Sequence, residues 1–230
     1  SSSDPLIGKT WAERYQVKGL LGEGGMGKVY LAWREELRRP VALKVLRPEI
    51  ASDERRRKRF QREARSASRI NHPALATIYD FGQWRGQLYL VMEFLKGRSL
   101  EALLAREQVL PGERVAQIGL QICEALDAVH GQDVLHRDLK PGNVMLVPPA
   151  DGGAPEGQEQ VKLVDFGLAL IKGEDNPRLT REGLVTGTPG YMSPEQCRGK
   201  DLDPRSDLYA LGILLYESLC GRIPFWAAAP

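Results

Sequence analysis

Apolar positions follow two different rhythms along this chain, strand-like in the first part and helical in the second. Residues 15–21 and 28–33 are short runs rich in β-branched, aromatic and leucine side chains, and Gly22-Glu23-Gly24-Gly25-Met26-Gly27 lies between them, the pattern of a hairpin. Residues 41–46 predict a third strand, and residues 76–81 and 88–94 predict two more. Ser52 or Asp53 can cap a helix that runs to about Ile70, where Asn71-His72-Pro73 ends it. From Ser99 onward Leu100, Leu103 and Leu104, then Val115, Ile118, Ile122, Ala125, Leu126 and Val129, recur at helical spacing. Residues 208–219 are apolar almost all round, which predicts a buried central helix. Residues 144–147 and 161–164 form a short strand pair, separated by a stretch at 148–160 with three prolines and three glycines. That stretch reads as a surface loop insertion. A linker between domains is the other reading, and it fails if the segments on both sides belong to one site.

Composition narrows the class without naming a chemistry. With 230 residues, 42% hydrophobic and 27% charged, the chain has the makings of a packed core and is not disordered. By length it is one large domain or two small ones. The apolar stretch 208–218 contains Gly212 and Glu217 and falls short of the roughly 18–20 residues of a membrane span. Ser1-Ser2-Ser3-Asp4 has neither the basic nor the apolar region of a signal peptide, which suggests a piece of a longer chain. Cys123, Cys197 and Cys220 are odd in number and widely spaced, so they read as reduced core thiols in a cytosol-like compartment, and three histidines make a zinc site a poor expectation.

The formal charge of +2 conceals an asymmetry. Residues 55–69 carry eight basic side chains (Arg55, Arg56, Arg57, Lys58, Arg59, Arg62, Arg65, Arg69) against one acid, Glu63. The segment reads as a solvated helix face, as a docking surface for phosphothreonine or a partner protein, or as a nucleic-acid site. The lack of interleaved aromatic residues weakens the last.

Gly22-x-Gly24-x-x-Gly27, followed by Val29, lets backbone N–H groups approach phosphate oxygens without a Cβ in the way. A tight hairpin would need similar glycines. Because the chain continues as Lys28-Val29-Tyr30-Leu31-Ala32, a strand and not a helix, a dinucleotide-binding fingerprint is disfavoured. In Val41-Ala42-Leu43-Lys44, alternation puts Ala42 and Lys44 on one face, and a buried ammonium there requires a carboxylate. Between Arg55 and Tyr79 the only acid is Glu63, so a partner on that helix can only be Glu63. His136-Arg137-Asp138-Leu139-Lys140-Pro141-Gly142-Asn143 is far more specific. It holds an Asp able to accept a hydroxyl proton, a Lys able to neutralise a phosphoryl group, and an Asn whose carbonyl can ligate a hard cation. Val164-Asp165-Phe166-Gly167 then supplies the anionic ligand that Mg²⁺ requires.

Taken in order, these motifs resemble the protein kinases of the eukaryotic-like (Hanks-type) serine/threonine class, and most of all the bacterial members. The family's glycine loop, V-A-I-K, H-R-D-L-x-x-x-N, D-F-G and A-P-E stand here at Gly22 to Val29, Val41 to Lys44, His136 to Asn143, Asp165 to Gly167 and Ser193-Pro194-Glu195. Leu43 replaces Ile and Ser193 replaces Ala, neither of which removes a functional group. The resemblance implies an α+β, bilobal protein-kinase fold. Residues 15–94 would form an N-lobe of antiparallel sheet plus one helix, and residues 95–230 a mainly helical C-lobe, incomplete at its C-terminus.

It also implies roles. Lys44 would hold the α/β-phosphates of ATP and pair with Glu63, Asp165 and Asn143 would hold Mg²⁺, Asp138 would be the catalytic base, and Lys140 would steady the γ-phosphate. Gly22, Gly24 and Gly27 would cover the phosphates. Leu21, Val29 and Ala42 would roof the adenine, Met145 would floor it, Met92 would guard the back, and the backbones of Glu93 and Leu95 would bond the base; ordinary core packing stays open for these apolar residues. Lys140-Pro141 and Gly187-Thr188-Pro189-Gly190-Tyr191 resemble the serine/threonine pattern, with Thr188 contacting Asp138 and Lys140. Arg137 before Asp138 goes with control by activation-loop phosphorylation, for which Thr180 and Thr186 are the acceptors, Thr180 being preferred. Glu195 would lack the late arginine it pairs with in the family, and Asp207 would brace the backbone near His136 and Arg137. The implied partners are proteins bearing Ser or Thr, with a transient homodimer for phosphorylation in trans. No nucleic acid and no membrane span are expected. The implied location is the cytoplasm, with tethering of a full-length protein to a membrane left open. An inactive truncated fragment and a nucleotide-binding pseudokinase scaffold are the alternatives.

Overall fold

The computed structural model describes residues 4–149, 159–166 and 189–225. Two units divide the chain, residues 1–69 with 76–95 and residues 70–75 with 96–230.

The first unit is a six-stranded antiparallel sheet, ordered β1-β2-β3-β4-β6-β5, with helix α2 against it. The strands are β1 (Thr10–Trp11), β2 (Tyr15–Gly24), β3 (Gly27–Arg34), β4 (Arg39–Leu46), β5 (Ile78–Trp84) and β6 (Gln87–Glu93). After the short helix α1 (Pro48–Ala51), α2 (Glu54–Ala67) begins where Asp53 accepts hydrogen bonds from the amides of Arg55 and Arg56. Of the two caps considered from sequence, Asp53 is therefore the one used. The pleat sorts side chains by chemistry. On one face Tyr15, Val17, Tyr30, Ala32, Val41, Leu43, Val45, Tyr89 and Val91 pack into one core cluster with Trp11. The opposite face carries Val29, Lys44 and Leu90 side by side, and next to them Leu31, Ala42 and Met92. Phe60 of α2 meets Phe81 edge-on at 6.4 Å, and Phe81 pairs with Leu90, so α2 lies over the face that bears Lys44.

Strand limits differ from the sequence reading where backbone conformation outweighs composition. The glycines do not form a loop between strands: Gly22 pairs with Val29 and Gly24 with Gly27, leaving only Gly25 and Met26 at the tip. β5 continues past Phe81 to Trp84 because Arg85 and Gly86, both at positive φ, make the two-residue turn that a tight hairpin requires.

The second unit holds a three-stranded sheet, β7 (Arg98–Ser99), β8 (Val144–Val147) and β9 (Gln160–Leu163), together with helices α3 (Leu100–Glu107), α4 (Gly112–His130), α5 (Pro194–Cys197) and α6 (Pro204–Cys220). Residues 70–75 join this unit because the Leu163 amide bonds the Ala74 carbonyl at 2.8 Å and Leu75 bridges to Leu163. Glu159 enters β9 between Arg98 and Arg114, at 3.2 and 2.6 Å. The ends of the 148–160 stretch thus belong to one packed unit, and residues 150–158 lie outside the described residues.

Two expectations about burial are corrected. All three cysteines are free thiols, but they are exposed, because Cys123, Cys197 and Cys220 occupy the solvent sides or ends of α4, α5 and α6. Helix α6 buries Ala210, Leu211, Ile213 and Leu214 and packs against α4, while Leu208, Tyr216 and Leu219 remain exposed, so only one side of it is core. Among the described residues no helix is long and apolar enough to cross a membrane.

Candidate active site

Sheet register builds the first unit's share of the site. The exchange of strands from Gly22 to Val29 to Lys44 to Leu90 carries one row of side chains across four strands. Lys44 is only 4% exposed, and an ammonium kept that dry calls for anionic company. At Gly22 and Gly24 an added Cβ would meet nothing within 4 Å, so the sheet end is open above the backbone. Gly27 differs: at φ +150°, a Cβ there would sit 2.1 Å from the Val45 carbonyl oxygen. Only glycine lets β3 start this close to the end of β4. Leu21 is half exposed at 49%, whereas Ala42 and Met92 are buried. Glu63 lies on α2 one turn after Phe60, with its side chain only 14% exposed. Its carboxylate accepts from the Arg62 guanidinium of the same helix at 3.4 Å.

The second unit holds its polar groups by side-chain-to-backbone bonds. Between α4 and the turn Pro141–Asn143 the chain has no regular partner, and Arg137 sits at φ +64°. Asp207, in the first turn of α6, takes the His136 and Arg137 amides on its two oxygens, each at 2.8 Å, and His130 Nε2 lies 2.7 Å from one of them. Burial pushes the Asp207 carboxyl up, but these hydrogen bonds, His130's first, outweigh it and hold the group below the usual carboxylate range. His136 is fully buried, and burial keeps its imidazole below the usual pKa despite the nearby Asp207, Asp138 and Asp165 carboxylates. From the far side, Gln196 Nε2 donates to the Arg137 carbonyl at 2.8 Å.

Downstream, Asn143 Nδ2 donates to the Asp138 carbonyl at 2.7 Å and to its Oδ2 at 3.2 Å, and Lys140 Nζ is 3.4 Å from the same Oδ2. Both protons of the Asn143 amide therefore point back at Asp138, which leaves its Oδ1 as a free hard-oxygen donor. The Val164 amide bonds the Asn143 carbonyl at 3.0 Å, so Asp165, at φ +61°, follows directly from the strand end beside Asn143. Asp138, Lys140, Asn143 and Asp165 are thereby brought to one end of the β8–β9 pair. Met145 lies on β8, next to Ser99 in register. Two carboxylates and an amide oxygen suit a hard divalent cation that also takes phosphate oxygens; among the described residues no three His, Cys, Asp or Glu side chains are placed to hold a metal ion by themselves.

The sequence reading found Asp207's task but missed Gln196, Ser206 and Asp4. Ser193-x-x-Gln196 is a capping box, in which the Ser193 hydroxyl takes the Gln196 amide and Gln196 Oε1 takes the Ser193 amide, and that spacing was open to recognition. Ser206 donates to Glu195 at 2.5 Å and holds that carboxyl down. No local pattern marks Asp4, which accepts from Lys28 Nζ at 2.7 Å and from the Tyr30 hydroxyl at 3.1 Å. Gly167, Thr180, Thr186, Gly187 and Thr188 lie outside the described residues.

An antiparallel sheet with a buried strand lysine and a glycine-rich hairpin, joined in one chain to a helical unit with an Asp-Lys-Asn loop beside an Asp-Phe corner, defines a protein-kinase fold. The family model for the protein kinase domain matches residues 15–229, and the chain belongs to that family, in its bacterial serine/threonine branch. It is 49% identical over 226 residues to serine/threonine-protein kinase pkn3 of Myxococcus xanthus, covering 97% of this chain and 40% of that protein. It is 39% identical to serine/threonine-protein kinase PknA of Mycobacterium tuberculosis, over 96% of this chain and 50% of that one. The crystal structure of the Mycobacterium tuberculosis PknI kinase domain is similar at a TM-score of 0.75 and 33% identity, with 99% of this chain and 83% of that chain covered. The chain thus spans between a quarter and a half of the length of the curated relatives it matches.

Proposed function

We propose that this chain transfers the γ-phosphoryl group of ATP to serine and threonine hydroxyls of protein substrates. The observation that carries the reading is the Asp138–Lys140–Asn143 loop, tied by Asn143 to Asp138 on one side and to the Asp165 corner on the other. In this reading Asp138 accepts the hydroxyl proton as the substrate oxygen bonds to phosphorus, and the bond from phosphorus to the β–γ bridging oxygen breaks, so that ADP leaves with the electron pair. Lys140 neutralises the transferring group. Mg²⁺, which Asn143 Oδ1 and Asp165 are suited to hold, supplies charge compensation on the phosphates. Lys44 binds the α/β-phosphates and pairs with Glu63, the open backbone at Gly22 and Gly24 covers the phosphates, and Leu21, Val29, Ala42, Met92, Met145 and the Glu93 and Leu95 backbones hold the adenine.

Thr180 is the loop residue we assign to activating phosphorylation, made in trans by a transient second copy in the cytoplasm. Transfer of radiolabelled phosphate from Mg-ATP to a generic basic protein tests the reading. Asp138→Asn is expected to lose about 10²–10⁴-fold in rate while still binding nucleotide; undiminished transfer by that variant overturns it. A Thr180→Ala protein with full activity, and no phosphate on the loop by mass spectrometry, would remove the activation step alone.

A further inference from the structure

The most concentrated run of like charge along the chain is residues 55–69, on α2 and the turn that follows it. Helix α2 spends its inner face on Phe60, Ala64 and Ala67. Its outer side is a shallow groove of about 240 Å³ lined by Lys58, Gln61, Arg62, Arg65, Ser66 and Arg69. Lys58 and Arg62 are 74% and 72% exposed along their side chains. Local acids do little to offset this: Glu54 takes Lys58 at 2.8 Å and Glu63 takes Arg62 at 3.4 Å, and Arg65 and Arg69 have no ion pair among the described residues. Lys58–Arg62 and Arg62–Arg65 are like-charge pairs at i,i+4 and i,i+3 within α2, each costing the helix roughly 0.2–0.5 kcal/mol, and Arg69 follows in the turn just past the helix end. A helix that needed cations only for solubility would intersperse acids among them.

We propose that this stripe is a docking groove for a phosphoserine- or phosphothreonine-bearing segment of another polypeptide, extended along α2. Spacing supports an extended chain. At about 1.5 Å rise per residue Lys58, Arg62 and Arg65 stand roughly 4.5–6 Å apart along the helix axis, close to the roughly 6.6 Å between alternate residues of a strand, and Arg69 continues the row in the turn beyond. Side-chain type supports phosphate, since three of the four cations are arginines, whose planar forks grip phosphate oxygens in pairs. The lining itself argues against the other anionic macromolecules. It has no aromatic ring on which single-stranded bases could stack, and no apolar side chain to enter a bilayer. The groove does not depend on phosphoryl transfer being the activity of this chain, and it is tested without nucleotide.

Fluorescence anisotropy with a fluorescein-labelled peptide carrying phosphoserine at alternate positions measures the docking. The expected result is saturable binding that weakens as salt is raised, and that falls at least about tenfold in Arg65→Glu/Arg69→Glu. The same peptide with serine in place of phosphoserine is expected to bind at least about tenfold more weakly. Arg65→Gln/Arg69→Gln, which removes the charge without reversing it, should show an intermediate loss, and both variants should keep the melting temperature and the basal transfer rate. Equal binding by wild type and both variants overturns the proposal. So does tighter binding of a polyuridine oligonucleotide or of phosphatidylserine vesicles than of the phosphopeptide at matched ionic strength.

Discussion

Lys44 owes its position to strand register, whereas Asp138 owes its position to side chains that bond the backbone of an irregular loop. In the first unit, four paired strands fix the row Gly22, Val29, Lys44 and Leu90, and no side chain is needed to aim it. In the second, the segment from His136 to Asn143 has no ladder, and its shape is imposed by Asp207, Gln196 and Asn143. Errors in the two regions should therefore have different signatures. Damage to a ladder is shared among many bonds, while loss of one bracing carboxylate strands several buried donors at once.

The largest effect is expected from Asp207→Ala. It leaves the His136 and Arg137 amides without an acceptor and His130 without its partner, at a cost of about 3–5 kcal/mol, or roughly 10 °C in melting temperature for a chain this size. Transfer activity should fall with it, because Asp138 follows Arg137 directly. A variant that melts like wild type would break the contrast. Gly27→Ala comes next, at about 2–3 kcal/mol, since the added methyl can be relieved only by parting β3 from β4. Its functional mark should be a raised KM for ATP with kcat less affected, and equal loss in both would mean that the ladder does not act through nucleotide binding.

A smaller effect separates anchors within the first unit. Asp4 reaches back to Lys28 and Tyr30 on β3, beside the glycine hairpin, and also takes the Leu6 amide at 3.0 Å. Asp4→Asn should raise the KM for ATP by a few-fold and leave the basal melting transition within a few degrees of wild type. An unchanged KM would make these bonds a tether for the N-terminal segment only.

What the sequence revealed followed the same division. Alternation in residues 41–46 was enough to place Ala42 and Lys44 on one face, because a strand's period of two is a local property. The turn at Arg85 and Gly86 was missed, since an arginine at φ +48° carries no compositional signal. In the second unit the Asp138-Lys140-Asn143 spacing was visible, and its bracing was visible only through resemblance, because Asp207 lies some seventy residues away in sequence. Cysteine burial was misjudged for a related reason: composition favours buried thiols on average, but helix phase decides each case. For Glu63, counting acids between Arg55 and Tyr79 left a single candidate, and its neighbour Arg62 shares the carboxylate.

The smallest effect is one of pH, and it separates the units in time as well as in size. All three histidines belong to the second unit, and burial displaces the folded pKa of His136 downward. In the unfolded chain it titrates near 6.5. Between that value and its lower folded value the unfolded state binds more protons, so stability is complete above about pH 6.5 and declines as the pH falls below it. Asp207, held below its usual range, adds a loss only on falling past about pH 4. Hydrogen exchange near pH 5.5 should therefore show faster opening of the His136–Asn143 loop and the start of α6 than at pH 7.5, with β3 and β4 unchanged once the intrinsic pH dependence is removed. His136→Asn should flatten the difference between the two pH values even if it lowers stability at both. Equal acceleration in β3, β4 and the loop would mean that the units open together, and that the separation between ladder and brace has no energetic counterpart.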